Sequence, residues 1–387
     1  QYVSVLLPEA VKQHLQTGLA TCDSVHSAHQ RAGCSMLYLL ILVVLVAMLF
    51  MFGPRPKLDS APRQSQVPQA PINQLPEWLD GQESHVPNLI EGTAAHIEWA
   101  DPANPVQTDL CFLYLHGFSA TWQETAPLTS QLANRHEANV VQGRLAGHGE
   151  GSAGMLKPAE YWLQSVTDHF DIASRLGKKV VIVATSTGCT LATWLLNQPT
   201  HAAKVHACLF MSPNFRIRSA FGFLLTWPFS KYWVHLILGR EHQWQPISDA
   251  QAKAWTHQYS TLALIEMQKT VDYAKTLDIG RFETPVAMMY MQNDGTIHPP
   301  SAIQVFNRWG SRHKKLIRVE PDGDAEEHVF VGEIVAPQRL DWCLERFKAY
   351  SYQPYCLALP SLQPAIFQNS QQMPSCSSAI CPMPASF

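Results

Sequence analysis

The chain has 387 residues, 46% of them hydrophobic, and a formal net charge of −3. That is enough apolar material for a large core, and the absence of a basic excess argues against a nucleic-acid surface. Nine cysteines without metal-ligand spacing argue against a disulfide framework at this length. Cys111, Cys208 and Cys343 sit inside apolar runs and are expected as buried thiols.

Residues 1–35 form an extension without a clear pattern. Met36 to Phe52 reads MLYLLILVVLVAMLFMF, with no charge, Pro or Gly. Such a run spans about 25 Å as a helix, short but sufficient for a bilayer core. A core helix would show a polar stripe, and this run has none. Lys12 and Arg31 precede it, and Arg55, Lys57 and Arg63 follow it, a balance that sets no orientation. With no small-x-small cleavage site close behind, 36–52 is expected as a transmembrane signal-anchor. Localisation is then at a membrane through one N-terminal segment, or secretion if the segment is cleaved. The chain starts at Gln1, and Met36 is a candidate natural initiator.

Residues 53–88 open with a stretch rich in Pro, Gln and Ser and are expected as a linker. From about 89 to 350, short apolar runs alternate with amphipathic segments such as Ala159–Leu176. The runs are Leu110–Leu115, Ala138–Val141, Val180–Ala184, Ala207–Met211, Val286–Met291 and Leu316–Val319. Near-continuous apolar strands separated by helices predict a mostly parallel α/β sheet covered on both faces. The interval from about 214 to 281 breaks the alternation, carries four tryptophans and is expected as a helical cap. Residues 351–387 contain no charged residue and six prolines, and read as a disordered or appended tail.

The sharpest chemical signal is Val180-Val181-Ile182-Val183-Ala184-Thr185-Ser186-Thr187-Gly188, followed by a helical run. An apolar strand entering small-x-Ser-x-Gly and leaving in a helix is what a nucleophile elbow requires. Ala184 stands where glycine is usual. The competing reading is an ordinary strand-to-helix connection in which Ser or Thr caps the helix. Upstream, Leu113-Tyr114-Leu115 runs into His116-Gly117-Phe118. A serine nucleophile needs two backbone N–H donors for the oxyanion, here expected from Phe118 and Thr187. His116 is better read as a loop-shaping residue than as a base. After the strand Val286–Met291 comes Asp294, and after Leu316–Val319 an acidic loop ends in His328. Ser186 as nucleophile, His328 as base and Asp294 as its orienting acid follow the chain order expected of this architecture. Asp322 and Asp324 are alternative acids. His298 follows its strand too closely to reach Ser186, and Gly147-His148-Gly149 is expected to shape a loop.

Together, His116-Gly117-Phe118, Gly147-His148-Gly149, Ala184 to Gly188, Asp294 and His328-Val329 resemble the α/β-hydrolase superfamily, within it the monoacylglycerol lipase and esterase type. The resemblance covers residues 89–350. It implies an eight-stranded, mostly parallel sheet flanked by helices, a cap inserted after the sixth strand, and no metal or organic cofactor. The expected function is hydrolysis of a small apolar carboxylic ester through an acyl-enzyme. The same machinery would serve a thioesterase, amidase or peptidase, and a catalytically silent scaffold is the alternative of a different class. A peptidase would want a carboxylate in the cap for the substrate's amino terminus, with Glu241, Asp249 and Glu266 as candidates.

Overall fold

A computed structural model of the chain describes residues 28–321 and 328–351. Most of the N-terminal extension, the alternative acids Asp322 and Asp324, and the tail from residue 352 lie outside the described residues. The chain runs α1 (Ala28–Phe52), α2 (Leu75–Ser84), β1 (His96–Glu98), β2 (Thr108–Leu115), α3 (Leu128–Asn134) and β3 (Asn139–Gln142). It continues through α4 (Ala159–Leu176), β4 (Gly177–Thr185), α5 (Thr187–Leu196) and β5 (Val205–Met211). Then come α6 (Ser230–Leu238), β6 (Glu241–Gln243), α7 (Asp249–Ala254), β7 (Gln258–Ser260) and α8 (Ala263–Thr276). The last elements are β8 (Val286–Met291), α9 (Pro299–Arg308), β9 (Lys314–Val319) and α10 (Leu340–Ser351).

Seven strands form one sheet in the order β1-β3-β2-β4-β5-β8-β9. Only β1 is antiparallel, pairing His96–Glu98 against Val140–Gln142. The six expected apolar runs are the six parallel strands. Their side chains alternate between two cores. Cys111, Leu113, Val180 and Ile182 face α4 and α5, whereas Phe112, Tyr114, Val181 and Val183 face α3 and α10. Cys111, Cys208 and Cys343 are buried free thiols, as is Cys189. All ten residues of α5 are buried, which explains why that helix carries no polar stripe.

The sheet has one strand fewer than expected. Ahead of β1 the chain forms α2 and then turns through Asn88 and Gly92, both at positive φ. No further strand precedes β1 among the described residues, so the insertion follows the fifth strand of the sheet, β5, and not the sixth. The insertion is mainly helical, but β6 and β7 pair into an antiparallel ribbon within it. Three-residue strands are too short to leave a period-2 signature.

The stretch 53–88, expected as a linker, is docked on the domain. Asp168, Asp171 and Arg175 share one face of α4. Gln66 N–H donates to Asp168 and Ser65 Oγ–H to Asp171, both at 2.8 Å, and the Arg175 guanidinium donates to the Pro68 and Ala70 carbonyls. Leu75 and Leu79 of α2 enter the core. Extended backbone whose polar groups are met by another element's side chains shows no periodicity in sequence. Helix α1 is long and apolar enough to cross a membrane, and none of its window Ser35–Phe52 is buried.

The connection of the sheet positions the site. From β2 the chain moves to β3 on one side, then crosses back to β4 on the other. Loops leaving β2 and β4 therefore diverge, and a crevice opens at the carboxyl ends of these two central strands.

Candidate active site

Ser186 sits at the turn between β4 and α5 with φ 52° and ψ −115°. A non-glycine residue in this region is strained and persists only where its surroundings impose it. Three backbone hydrogen bonds do so: Ser186 N–H donates to Met211 O (2.9 Å), and Ser186 O accepts from Cys189 N–H and Asn214 N–H (3.1 Å each). The need for small neighbours is geometric. A Cβ at Gly188 would strike the Leu115 carbonyl oxygen and lie 2.8 Å from His116 O. At Gly117 it would lie 3.2 Å from both Ser186 Cβ and Glu124 Oε2. Ser186 occupies the N-cap position of α5, yet its side chain makes no capping hydrogen bond. Its hydroxyl is thus not engaged as the competing reading requires.

Asp294 and His328, 34 residues apart in sequence, meet with His328 Nδ1 2.8 Å from Asp294 Oδ2. Asp294 Oδ1 accepts from Thr296 and Ile297 N–H at 2.8 and 2.9 Å, and its backbone carbonyl from Arg218 at 2.8 Å. The His328 carbonyl is held by Ser212 Oγ–H at 2.6 Å. Burial by itself would lift the Asp294 pKa, but the imidazole of His328 and the two N–H donors outweigh it, and Asp294 is held below its ordinary value. Burial would lower His328; the carboxylate of Asp294 reverses this, aided by Glu124, and the net direction is up.

Neither Phe118 N–H nor Thr187 N–H has an acceptor among the described residues. The Phe118 ring lies 5.3 Å from Tyr259 and 5.9 Å from both His148 and Trp162, which fixes the loop that carries its N–H. His116 shapes this loop. Leu145 N–H donates to its Nε2 at 3.0 Å, leaving Nδ1–H to donate to Gly117 O at 2.8 Å. Burial pushes His116 far below the ordinary histidine range, so it is neutral. His148 is fully buried, its ring 5.0 Å from that of His116. The loop bearing it is tied down by Arg144, which donates twice to Glu83 of α2 (2.5 and 3.0 Å) and once to Glu150 (2.8 Å). His298 stands at the N-cap position of α9, outside the Asp294–His328 pair, with Nδ1 3.0 Å from Ser301 Oγ.

Sequence reasoning passed over Glu124. It is fully buried, and its Oε1 accepts from Gly117 N–H (2.6 Å) and Tyr114 O–H (2.8 Å). Tyr114 also lies 2.9 Å from Thr185 Oγ1, so one carboxylate links the loop after β2 to the residue before Ser186. Burial lifts the Glu124 pKa to about 7 against those two donors and the charge of His328. A signal existed: Glu124 is the single Asp, Glu, Lys or Arg between Asp109 and Arg135. Asn214 was also missed. Its Nδ2 reaches Met267 Sδ at 3.2 Å, tying the elbow to α8.

The insertion holds a cavity of about 550 Å³ that adjoins the elbow through Met267. Leu225, Trp233, Val234, Leu264 and Met267 are among its walls, and no acid lines it among the described residues. Of the acids considered for a peptide amino terminus, Glu266 is buried against Lys269 and Ala159 N–H, and Glu241 and Asp249 are exposed.

The model of the alpha/beta hydrolase family matches residues 112–333, more than half of the chain. The chain belongs to this family. Among solved structures, one described with LipS and LipT, two metagenome-derived lipolytic enzymes, superposes with a TM-score of 0.53 at 17% identity, covering 68% of this chain and 98% of that one. A monoacylglycerol lipase from Paleococcus ferrophilus gives 0.48 at 14% identity, covering 66% and 98%. A soluble variant of the monoglyceride lipase of Saccharomyces cerevisiae gives 0.48 at 13%, covering 66% and 89%. At 17% identity the first of these likenesses speaks to the fold alone. No curated protein matches the sequence.

Proposed function

We propose that the protein is a serine hydrolase that cleaves carboxylic esters with an apolar acyl group. The observation that carries this reading is the strained Ser186, its hydroxyl free of capping, in a crevice with two unengaged N–H donors and an aspartate-paired histidine. Ser186 Oγ attacks the acyl carbonyl while His328 Nε2 takes its proton. Asp294 holds the Nδ1–H tautomer and stabilises the imidazolium. Phe118 and Thr187 N–H groups receive the oxyanion. As the tetrahedral adduct collapses, the C–O bond to the alcohol breaks and His328 returns the proton to it. Water, deprotonated by His328, then attacks the Ser186 ester, and the acid leaves.

The interval 214–281 acts as a cap, and its cavity accommodates the acyl chain. Met267 stands at the inner end between cavity and elbow, and its flexible thioether suits a chain-length gate. A wall without acids favours esters over short peptides, whose free amino terminus would need a carboxylate. Helix α1 serves as a membrane anchor. Hydrolysis of short and long p-nitrophenyl esters beside Ser186→Ala tests the site, with a thioester and an anilide as competitors. Turnover that vanishes in the variant supports the reading. No turnover, together with no fluorophosphonate labelling of Ser186, would favour a silent scaffold.

A further inference from the structure

Among the described residues, seven of the ten large apolar side chains exposed outside α1 fall between residues 221 and 247. Helix α6 shows the anomaly best. It packs inward through Val234, yet its outward face presents Tyr232 and Leu236, while Ile237 and Leu238 are exposed at the mouth of the cavity they line. Its neighbouring turn presents Phe221 and Phe223. A helix on a water-facing surface carries polar residues outward, and a contiguous apolar patch marks a contact surface.

The position of α1 says what that contact is. Two residues beyond its end, Pro54 O accepts from Phe229 N–H at 3.0 Å, and the Phe50 ring lies 6.1 Å from the Phe229 ring. Phe229 directly precedes α6. The candidate membrane helix therefore ends against the foot of the helix with the apolar outward face. Charge points the same way. From Asn214 to Arg240 the chain has four Arg or Lys residues and no Asp or Glu, and Arg55 and Lys57 are exposed just after α1. Aromatic and aliphatic side chains rimmed by cations fit the headgroup boundary of an anionic leaflet. The cavity is lined at this surface by Phe221, Ile237 and Leu238, all exposed.

We propose that the outward face of α6 and the Phe221–Phe223 turn are seated in the bilayer that α1 enters, so that the cavity takes the acyl chain of a lipid ester directly from the membrane. Lipid uptake rests on the ester-hydrolase reading; the seating does not, and the experiment separates them.

The full-length protein is reconstituted into phosphatidylcholine vesicles containing phosphatidylglycerol. A fluorescent amino acid is placed at Leu236, which does not line the cavity, or at Lys178, exposed at the opposite ends of the strands. Lipids carrying a nitroxide near the headgroup are expected to quench position 236 and leave position 178 bright. In parallel, Leu236→Asp with Tyr232→Asp is assayed on dissolved p-nitrophenyl butyrate and on a long-chain glyceryl ester embedded in vesicles. Turnover of the dissolved ester should stay within about twofold, which also reports folding, while turnover of the embedded ester falls about tenfold or more. Unquenched fluorescence at 236, as a protein partner or a second copy on this face would give, overturns the proposal. Equal effects of the double variant on both esters overturn the uptake route. Quenching at 236 in a protein that cleaves neither ester sustains the seating and overturns the reading of the site.

Discussion

Replacing Glu124 by Gln should stabilise the protein at alkaline pH and leave it little changed in acid. The Gln carbonyl can accept the Gly117 N–H and Tyr114 O–H bonds that Glu124 accepts at 2.6 and 2.8 Å, so the chief loss is the charge. Burial lifts this carboxyl from 4.5 to about 7. A group whose pKa is raised in the folded state contributes stability below its unfolded pKa and loses it as pH rises through the folded one. The parent therefore sheds stability between pH 4.5 and about 7. At about 1.4 kcal/mol per pKa unit the loss approaches about 3 kcal/mol. Glutamine has nothing to ionise, so the gap between variant and parent should open across this window and level off above it. Thermal unfolding in detergent from pH 4 to pH 9 reads the gap as a difference of several degrees in Tm. A Tm difference that does not change with pH would refute the assignment of a buried, titrating Glu124. Kinetics offers a second readout. The Glu124 carboxylate helps hold His328 protonated, so the acidic limb of the activity profile should move to lower pH in the variant.

Three further outcomes follow from the same geometry. Asp294→Asn keeps an acceptor for Thr296 and Ile297 N–H but loses the Nδ1–H tautomer of His328, and kcat on a p-nitrophenyl ester should fall by about 10³–10⁴ with Tm nearly unchanged. Gly188→Ala forces a Cβ against the backbone of Leu115 and His116, which cannot swing aside as a side chain can. It should cost about 1–3 kcal/mol in thermal unfolding and slow fluorophosphonate labelling of Ser186. Met267→Trp should fill the inner end of the cavity and cut turnover of long acyl chains while sparing acetate, and Met267→Ala should not; a series of p-nitrophenyl esters reads the preference.

Much of this protein was written locally. The six parallel strands were legible because a sheet buried on both faces demands apolar runs, and those runs alternate with helices. Ser186 was legible because its turn imposes small residues two before and two after it, a demand that Ala184 and Gly188 record in the sequence. Asp294 and His328 could be named from their places after strands, but only tertiary structure sets Nδ1 2.8 Å from Oδ2 across 34 residues. Folding also decided what composition misread. The Pro-rich stretch before α2 is docked because α4 supplies Asp168, Asp171 and Arg175 on one face, and among the described residues the chain ahead of β1 forms α2 and a turn where an eighth strand was expected. Glu124 shows the limit most plainly. One acid in a neutral stretch is visible in sequence, but its link to Gly117 and Tyr114 arises only when the loop after β2 folds back on the end of that strand, and its electrostatic coupling to His328 only when the loop after β9 is brought to the same place. Sequence fixes which groups are available; burial, which sets how strongly a charge is felt, belongs to the folded chain alone.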